Sequence, residues 1–319
     1  MAGEFELIAR YFDWPVPSGT LGVGDDCALL PVAPGHRLAV TTDLLVEGCH
    51  FFSDVDPQAL GHKALAVNVS DLAAMGARPL GCLLGLSLPT VDEKWLGGFA
   101  RGFRALADHT GCPLIGGDTT RSPRGIVISV TAMGEVAIDA ELKRSNARPG
   151  DDIWVTGSLG APHVALELLQ GRHASHASSL ASLQTLLEWP QPPVAFGAAL
   201  AGVAHAAIDI SDGLLQDLGH ILKASGCAAE IEYADLPIHE QLVALDAAVV
   251  QRAVLNGGDV YQLCFTAAPR AAPAIEALAL QQGVRATKVG RILQGQGVRV
   301  IGSPLPLGNG DHAGFDHFS

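Results

Sequence analysis

The 319-residue sequence has no apolar run near the ~20 residues that a membrane-spanning helix requires. Its first residues, MAGEFELIARYF, carry charge where a secretory signal would have a hydrophobic core. Basic residues are scarce as well. Twenty Lys and Arg stand against 33 Asp and Glu, and the formal net charge of −13 excludes general binding to nucleic acid or anionic membranes. The six cysteines, Cys27, Cys49, Cys82, Cys112, Cys227 and Cys264, contain no C-x-x-C pair, so a zinc site of that kind is not expected. G-x-x-x-x-G-K-[ST] is absent, so any phosphate chemistry must proceed without a P-loop. A soluble, cytoplasmic protein with reduced thiols is the expectation.

What the chain does have is a mixture of helix and strand signals in both halves, the pattern of an α+β (mixed α/β) protein. Asp56-Pro57 reads as an N-cap and N1 proline, and predicts a helix to about Met75 that Gly76 stops. GCLLGLSLP predicts a strand. Thr90 and Glu93 have capping-box spacing ahead of a helix from about Val91 to His109. PLIGGDTT and GIVISVTAMGEV read as further strands. ARPGDDIWVTG, Ala147 to Gly157, has the Pro/Gly turn and fresh strand of a domain start, so two domains are expected, 1–147 and 148–319. Beyond it, helices are predicted from about Ala161 to Gln170, after Glu240 and over Ala271–Gln282. ATKVGRIL and GVRVIG read as late strands.

AAIDISDGLLQDLGH, Ala206 to His220, poses a problem of charge. It reads as a buried strand, a tight turn and an amphipathic helix. Asp209 sits inside the apolar strand and Asp212 follows three residues later. A carboxylate among Ala and Ile costs several kcal/mol unless something neutralises it, and the stretch contains no Lys or Arg. Other acids sit in similar places. Asp25 and Asp26 lie in GVGDDCALL. Asp43, Glu47 and His50 lie in VTTDLLVEGCHF, with Thr41 and Thr42 beside the Asp. Asn68 and Asp71 lie in NVSDLAAMGA, Asp118 in LIGGDTTR and Asp259 in NGGDVYQL.

Singly, each has an ordinary explanation. Asp25-Asp26 reads as a turn, Asp212 as a helix N-cap, Asn68 and Asp71 as a solvated helix stripe, Asp118 as a loop brace, Glu47 as a loop charge and His50 as a core histidine. Jointly, these hard oxygen donors suit Mg²⁺, and two or more such ions would supply the charge missing around Asp209. A pocket with several Mg²⁺ ions usually handles phosphates. Arg121 and Arg144 are candidate helpers.

The ordered set GVGDDCALL, TTDLLVEGCHF, KALAVNVSDLAAMGARP, LIGGDTTR, AIDISDGLLQDLGHI and GFDHF resembles the thiamine-monophosphate kinase family. That family belongs to the superfamily of aminoimidazole ribonucleotide synthetase, selenophosphate synthetase and the hydrogenase maturation dehydratase. The resemblance implies a homodimer joined through a barrel-like sheet of the N-terminal α/β domains, with a C-terminal α/β domain completing the active site. It implies direct, in-line, Mg-assisted phosphoryl transfer from ATP, as co-substrate, to thiamine monophosphate, giving thiamine diphosphate. Carried over residue by residue, it makes Asp26, Thr41, Thr42, Asp43, Asp71, Asp118, Asp209 and Asp212 the Mg²⁺ positions. Gly117, Asp118, Arg144 and Ser211 would touch ATP. His50, Asp259 and Phe315 would contact the thiamine phosphate, and Asp212 and Arg144 would be the catalytic positions.

One segment departs from the family pattern. Where the family reads Gly-Gly-Glu-Asp-Tyr-Glu, this chain reads GGDVYQ, so Asp259 keeps a carboxylate on a shorter arm and Val260 and Gln262 replace two acids. Two other functions stay open at this point. One is ATP-dependent activation of an amide-type substrate, as in the ribonucleotide synthetase branch. The other is a non-catalytic nucleotide- or thiamine-binding homologue.

Overall fold

The computed structural model describes residues 4–23, 27–172 and 181–306. The chain divides into two compact units, residues 1–72 with 77–139 and residues 73–76 with 140–319.

The first unit is built on a four-stranded sheet. Its elements in chain order are α1 (Glu4–Tyr11), β1 (His36–Val46), α2 (Pro57–Ala74), β2 (Arg78–Leu88), α3 (Glu93–Thr110), β3 (Leu114–Arg121) and β4 (Val127–Ala137). The strand order is β1-β4-β2-β3, with β2 and β3 parallel and the other pairs antiparallel. Asp56 caps α2 as its sequence suggests: Oδ1 accepts from Gln58 N at 2.7 Å and Ala59 N at 3.2 Å. The helix is buried along its length, through Leu60, Leu65, Val69 and Leu72 and also through the polar His62, Lys63, Asn68 and Ser70. The start of α3 differs from the expected capping box. Asp92, not Thr90, is the cap, and its Oδ1 accepts from Lys94 N at 2.8 Å and Trp95 N at 3.1 Å. Asp92 wins because it stands immediately before the first helical residue, where its short carboxylate reaches both amides.

Strand β1 lies at one edge of this sheet, and its alternation sorts its residues onto two faces. Thr41 and Asp43 face α2, where their partners lie. Leu38, Val40, Leu44 and Val46 point the other way and are 47, 58, 55 and 36% exposed.

The second unit holds a six-stranded mixed sheet in the order β10-β7-β9-β5-β8-β6. Its strands are β5 (Asp152–Thr156), β6 (Ala206–Asp209), β7 (Ala228–Glu232), β8 (Leu263–Ala267), β9 (Ala286–Leu293) and β10 (Gly297–Ile301). Its described helices are α4 (Ala161–Leu169), α5 (Gln184–Glu188), α6 (Val194–Ala199), α7 (Leu214–Ser225), α8 (Ala247–Asn256) and α9 (Ala272–Gln282). Ile153, Val155, Ile208, Leu214, Leu218, Ile221, Val254 and Val289 share one buried core. The helix expected after Glu240 begins later, at Ala247, because Asp246 is the residue whose carboxylate caps it. Among the described residues no helix is long and apolar enough to cross a membrane.

Candidate active site

Thr41, Asp43, Asn68 and Asp71 come together between β1 and α2. Thr41 Oγ1 donates to Asp71 Oδ2 at 2.5 Å, and Asp43 N donates to Asn68 Oδ1 at 3.1 Å. Asn68 also donates from Nδ2 to Ala64 O at 3.1 Å and is fully buried, so the solvated-stripe explanation fails for it. Burial, with the nearby Asp71 charge adding to it, pushes the Asp43 carboxyl up to about 6. Two mutually repelling carboxylates beside a hydroxyl are the hard oxygen donors that Mg²⁺ takes, so the donor set fits that ion. Thr42 faces the opposite side of β1. Its Oγ1 donates to Val130 O at 3.1 Å and lies 3.0 Å from Thr131 Oγ1.

Gly117 and Asp118 lie on β3 and line a cavity of about 1060 Å³ within the first unit. Phe12, Leu38, Leu83, Ile115 and Met133 make most of that cavity apolar. Gly117 has φ 152°, and a Cβ there would stand 2.0 Å from Leu84 O, so the strand accepts no side chain at this point. Just past β1, His50 Nδ1 accepts from Val46 N at 3.0 Å, which puts the proton of the neutral ring on Nε2. Glu47, expected as a loop charge, accepts from Ile126 N at 2.7 Å.

In the second unit, Asp209 ends β6 at 4% exposure, and the chain turns through Ser211 and Asp212 into α7. Asp212 is not the helix cap. Its Oδ2 takes a hydrogen bond from Gln216 Nε2 at 3.1 Å, and the N-cap is Gly213. The loop 257–262 packs backbone to backbone against this turn. Asp259 N donates to Ser211 O and Tyr261 N to Ile210 O, both at 2.8 Å. The approach is close enough that a Cβ on Gly258 would meet Ser211 O at 2.4 Å. Asp259 and Tyr261 both hold left-handed backbone, φ 60° and 50°, and Tyr261 Oη donates to Asp259 Oδ1 at 3.2 Å. A bulky residue in that region is strained, and such strain concentrates at working loops.

The two positions where acids are replaced have structural uses here. Val260 packs into the core of the second unit. Gln262 accepts from Thr156 Oγ1 at 2.8 Å and donates from Nε2 to Gln191 O at 2.9 Å. A carboxylate has no proton for the Gln191 carbonyl, so the amide suits this pair of partners.

Arg144 is exposed. Its carbonyl accepts from Ser225 Oγ at 2.7 Å, at the far end of α7 from Asp212. Asp26 and Phe315 lie outside the described residues. Among the described residues no three His, Cys, Asp or Glu side chains are grouped to hold an ion by themselves. Asp217, which no sequence motif singles out, is part of the turn: it is 2% exposed, and its Oδ2 accepts from Asp212 N at 3.1 Å and Gly213 N at 3.0 Å. Burial is the main cause that pushes its carboxyl up to about 7. The signal was an acid on the helix face of Leu214, Leu218 and Ile221.

Comparison with known proteins assigns a class to these two units. Residues 24–136 match the model of the AIR synthase related protein, N-terminal domain, and residues 148–303 match that of the C-terminal domain. The chain is 43% identical to the thiamine-monophosphate kinase of Salmonella typhimurium, over 99% of this chain and 98% of that protein. It is 32% identical to that of Aquifex aeolicus, over 93% and 92%. It belongs to the thiamine-monophosphate kinase family. The crystal structure of the Stenotrophomonas maltophilia thiamine-monophosphate kinase superposes with a TM-score of 0.83 at 45% identity, over 90% of this chain and 93% of that one. AaThiL complexed with AMPPCP and TMP superposes at 0.77 with 30% identity, over 91% and 90%. E. coli HypE, a hydrogenase maturation protein, shares the fold at 22% identity and TM-score 0.73, over 95% of each chain.

Proposed function

We propose that this chain transfers the γ-phosphoryl group of ATP to thiamine monophosphate, forming thiamine diphosphate and ADP. The observation that supports this most directly is the junction of two loops in the second unit: the Ser211–Asp212 turn is hydrogen-bonded through Ser211 O to the loop that presents Asp259. A carboxylate of metal-binding type thereby neighbours one suited to a cationic substrate. AaThiL, 30% identical to this chain, was solved with AMPPCP and TMP.

The acceptor is a phosphate monoester whose second pKa is about 6, so it is largely dianionic at neutral pH. It needs no general base, and none of the proposed residues is asked to be one. An acceptor phosphate oxygen forms the new bond to the γ-phosphorus as the β–γ bridging P–O bond breaks, and ADP leaves with that electron pair. Thr41, Asp43 and Asp71 would hold Mg²⁺, with Asp26, Asp118, Asp209 and Asp212 as further ligands. When bound, Mg²⁺ screens the repulsion between acceptor and donor phosphates. Thr42, whose hydroxyl faces Thr131, is left out of that set.

The nucleotide is assigned to the apolar cavity beside Gly117 and Asp118, where a flat heterocycle gains from burial against Leu83, Ile115 and Met133. Ser211 and Arg144 are kept as positions proposed to contact ATP. His50, Asp259 and Phe315 are assigned to the thiamine phosphate, with the Phe315 ring suited to stacking on a cationic heterocycle.

The exposed stripe of Val40, Leu44 and Val46 on an edge strand supports a homodimer, in which a second copy would cover it. Six free cysteines suit a reducing cytoplasm.

An ADP-release assay separates the acceptors. ADP should appear with thiamine monophosphate and not with formylglycinamidine ribonucleotide; the reverse pattern would move the chain to amide activation. Binding of both substrates without ADP would mark a non-catalytic homologue. Asp212→Asn should fold and lose at least ~100-fold in turnover, the scale for removing a main charge stabiliser. Turnover within a few-fold of wild type would take Asp212 out of the site.

A further inference from the structure

We infer that Asp217 is a positioning residue for phosphoryl transfer: its buried carboxylate fixes the backbone of Asp212 and Gly213, and so leaves the Asp212 carboxylate for the reaction. The inference rests on the functional reading of the Ser211–Asp212 turn given above.

The first turn of a helix leaves amides without helical partners, and the usual remedy is a Ser, Thr, Asp or Asn at the N-cap. In this segment the sequence offers Asp212 for that task. The fold does not use it. The N-cap is Gly213, which has no side chain to give, and one oxygen of Asp217 accepts from both Asp212 N and Gly213 N. Those bonds come from inside the core, because Asp217 stands with Leu214, Leu218 and Ile221 on the buried side of α7. A carboxylate there costs more than an apolar residue would unless its acceptors are needed. An exposed cap would secure the helix at lower cost, so stability alone is a poor reason for it.

The opposite side of the turn is held as well. Asp259 N donates to Ser211 O, Tyr261 N to Ile210 O, and Ile210 N to Gln262 O at 2.7 Å. Residues 210–213 are therefore pinned from α7 on one side and from the 257–262 loop on the other. Only the loop side was visible as a departure in the sequence. The Asp212 carboxylate meanwhile takes Gln216 Nε2 and caps nothing.

The test compares full-length wild type, Asp217→Ala and Asp217→Asn in steady-state kinetics, with unfolding midpoints for each. Wild type is measured first. Asp217→Ala should lower kcat by about 100-fold, the cost of a misplacement near 1 Å. KM for thiamine monophosphate should stay within about 3-fold, because the substrate contacts remain. Asp217→Asn should restore kcat to within about 10-fold of wild type, since a single amide oxygen can accept both N–H groups. A folded Asp217→Ala with wild-type kcat would show a merely structural cap and overturn the inference. So would a folded Asp217→Asn as impaired as the alanine variant, because charge rather than placement would then matter. If Asp217→Ala does not fold, Asp217→Glu replaces it: its longer arm shifts the turn, so a folded Glu variant should lose kcat at least ~10-fold, and one with wild-type kcat would overturn the inference. A wild-type chain that releases no ADP with thiamine monophosphate overturns the functional reading and the inference together, whereas an active wild type with an unaffected alanine variant overturns the inference alone.

Discussion

Asp43 gives up its proton less readily than an exposed aspartate, because it is partly withdrawn from water and stands near Asp71. The folded chain therefore favours the protonated form. The stabilising contribution of that proton is complete below the ordinary pKa of 3.8 and is lost as pH rises through about 6. At 1.36 kcal/mol per unit the loss is on the order of 2–3 kcal/mol in metal-free protein. Asp43→Asn should accordingly flatten the fall of the urea midpoint between pH 4 and pH 7. An unchanged pH slope would mean that Asp43 is ionised and already compensated. Residues such as Asp43 and Asp71 were legible because polar groups in apolar surroundings stand out in a sequence. The partners were not: that Asn68 holds the backbone of Asp43, and that Gln262 ties Thr156 to Gln191, depends on contacts across 25, 106 and 71 residues.

At the level of elements, local chemistry decided most of what could be read. Proline, glycine and capping residues marked α2 and its end, since those signals act within a few residues. Where two capping residues lay close together, as Thr90 and Asp92 do, the sequence did not separate them, and the structure shows Asp92 in the role. Gly117 illustrates a constraint of a different kind. Its Cβ would collide with Leu84 O on the neighbouring strand, so Gly117→Ala should destabilise the first unit by more than ~1 kcal/mol, read as a lower urea midpoint. An unchanged midpoint would show that β2 and β3 yield easily. Strand β1 has a sharper consequence. Paired Val40→Lys and Leu44→Lys substitutions should turn the proposed dimer into a monomer by sedimentation, because charge on an exposed apolar edge opposes pairing. A dimer that persists would place the interface elsewhere.

For the whole molecule, the mixed helix and strand pattern and the ordered acid motifs carried the class. The matches over 24–136 and 148–303 and the full-length identity to thiamine-monophosphate kinases agree with it. The geometry was harder to read, because distant segments build each cluster: β1 with α2 in the first unit, and the α7 turn with the 257–262 loop in the second. The net charge of −13 also takes on a meaning here. It favours the proposed use of bound divalent ions, because an acidic protein otherwise repels a polyanionic substrate. The most direct test is to incubate the purified chain with ATP, Mg²⁺ and thiamine monophosphate and to quantify every phosphorus-containing product by ³¹P NMR. The account predicts thiamine diphosphate and ADP in equal amounts, with neither formed when EDTA removes the metal. ADP with inorganic phosphate and no thiamine diphosphate, or undiminished product in EDTA, would contradict it.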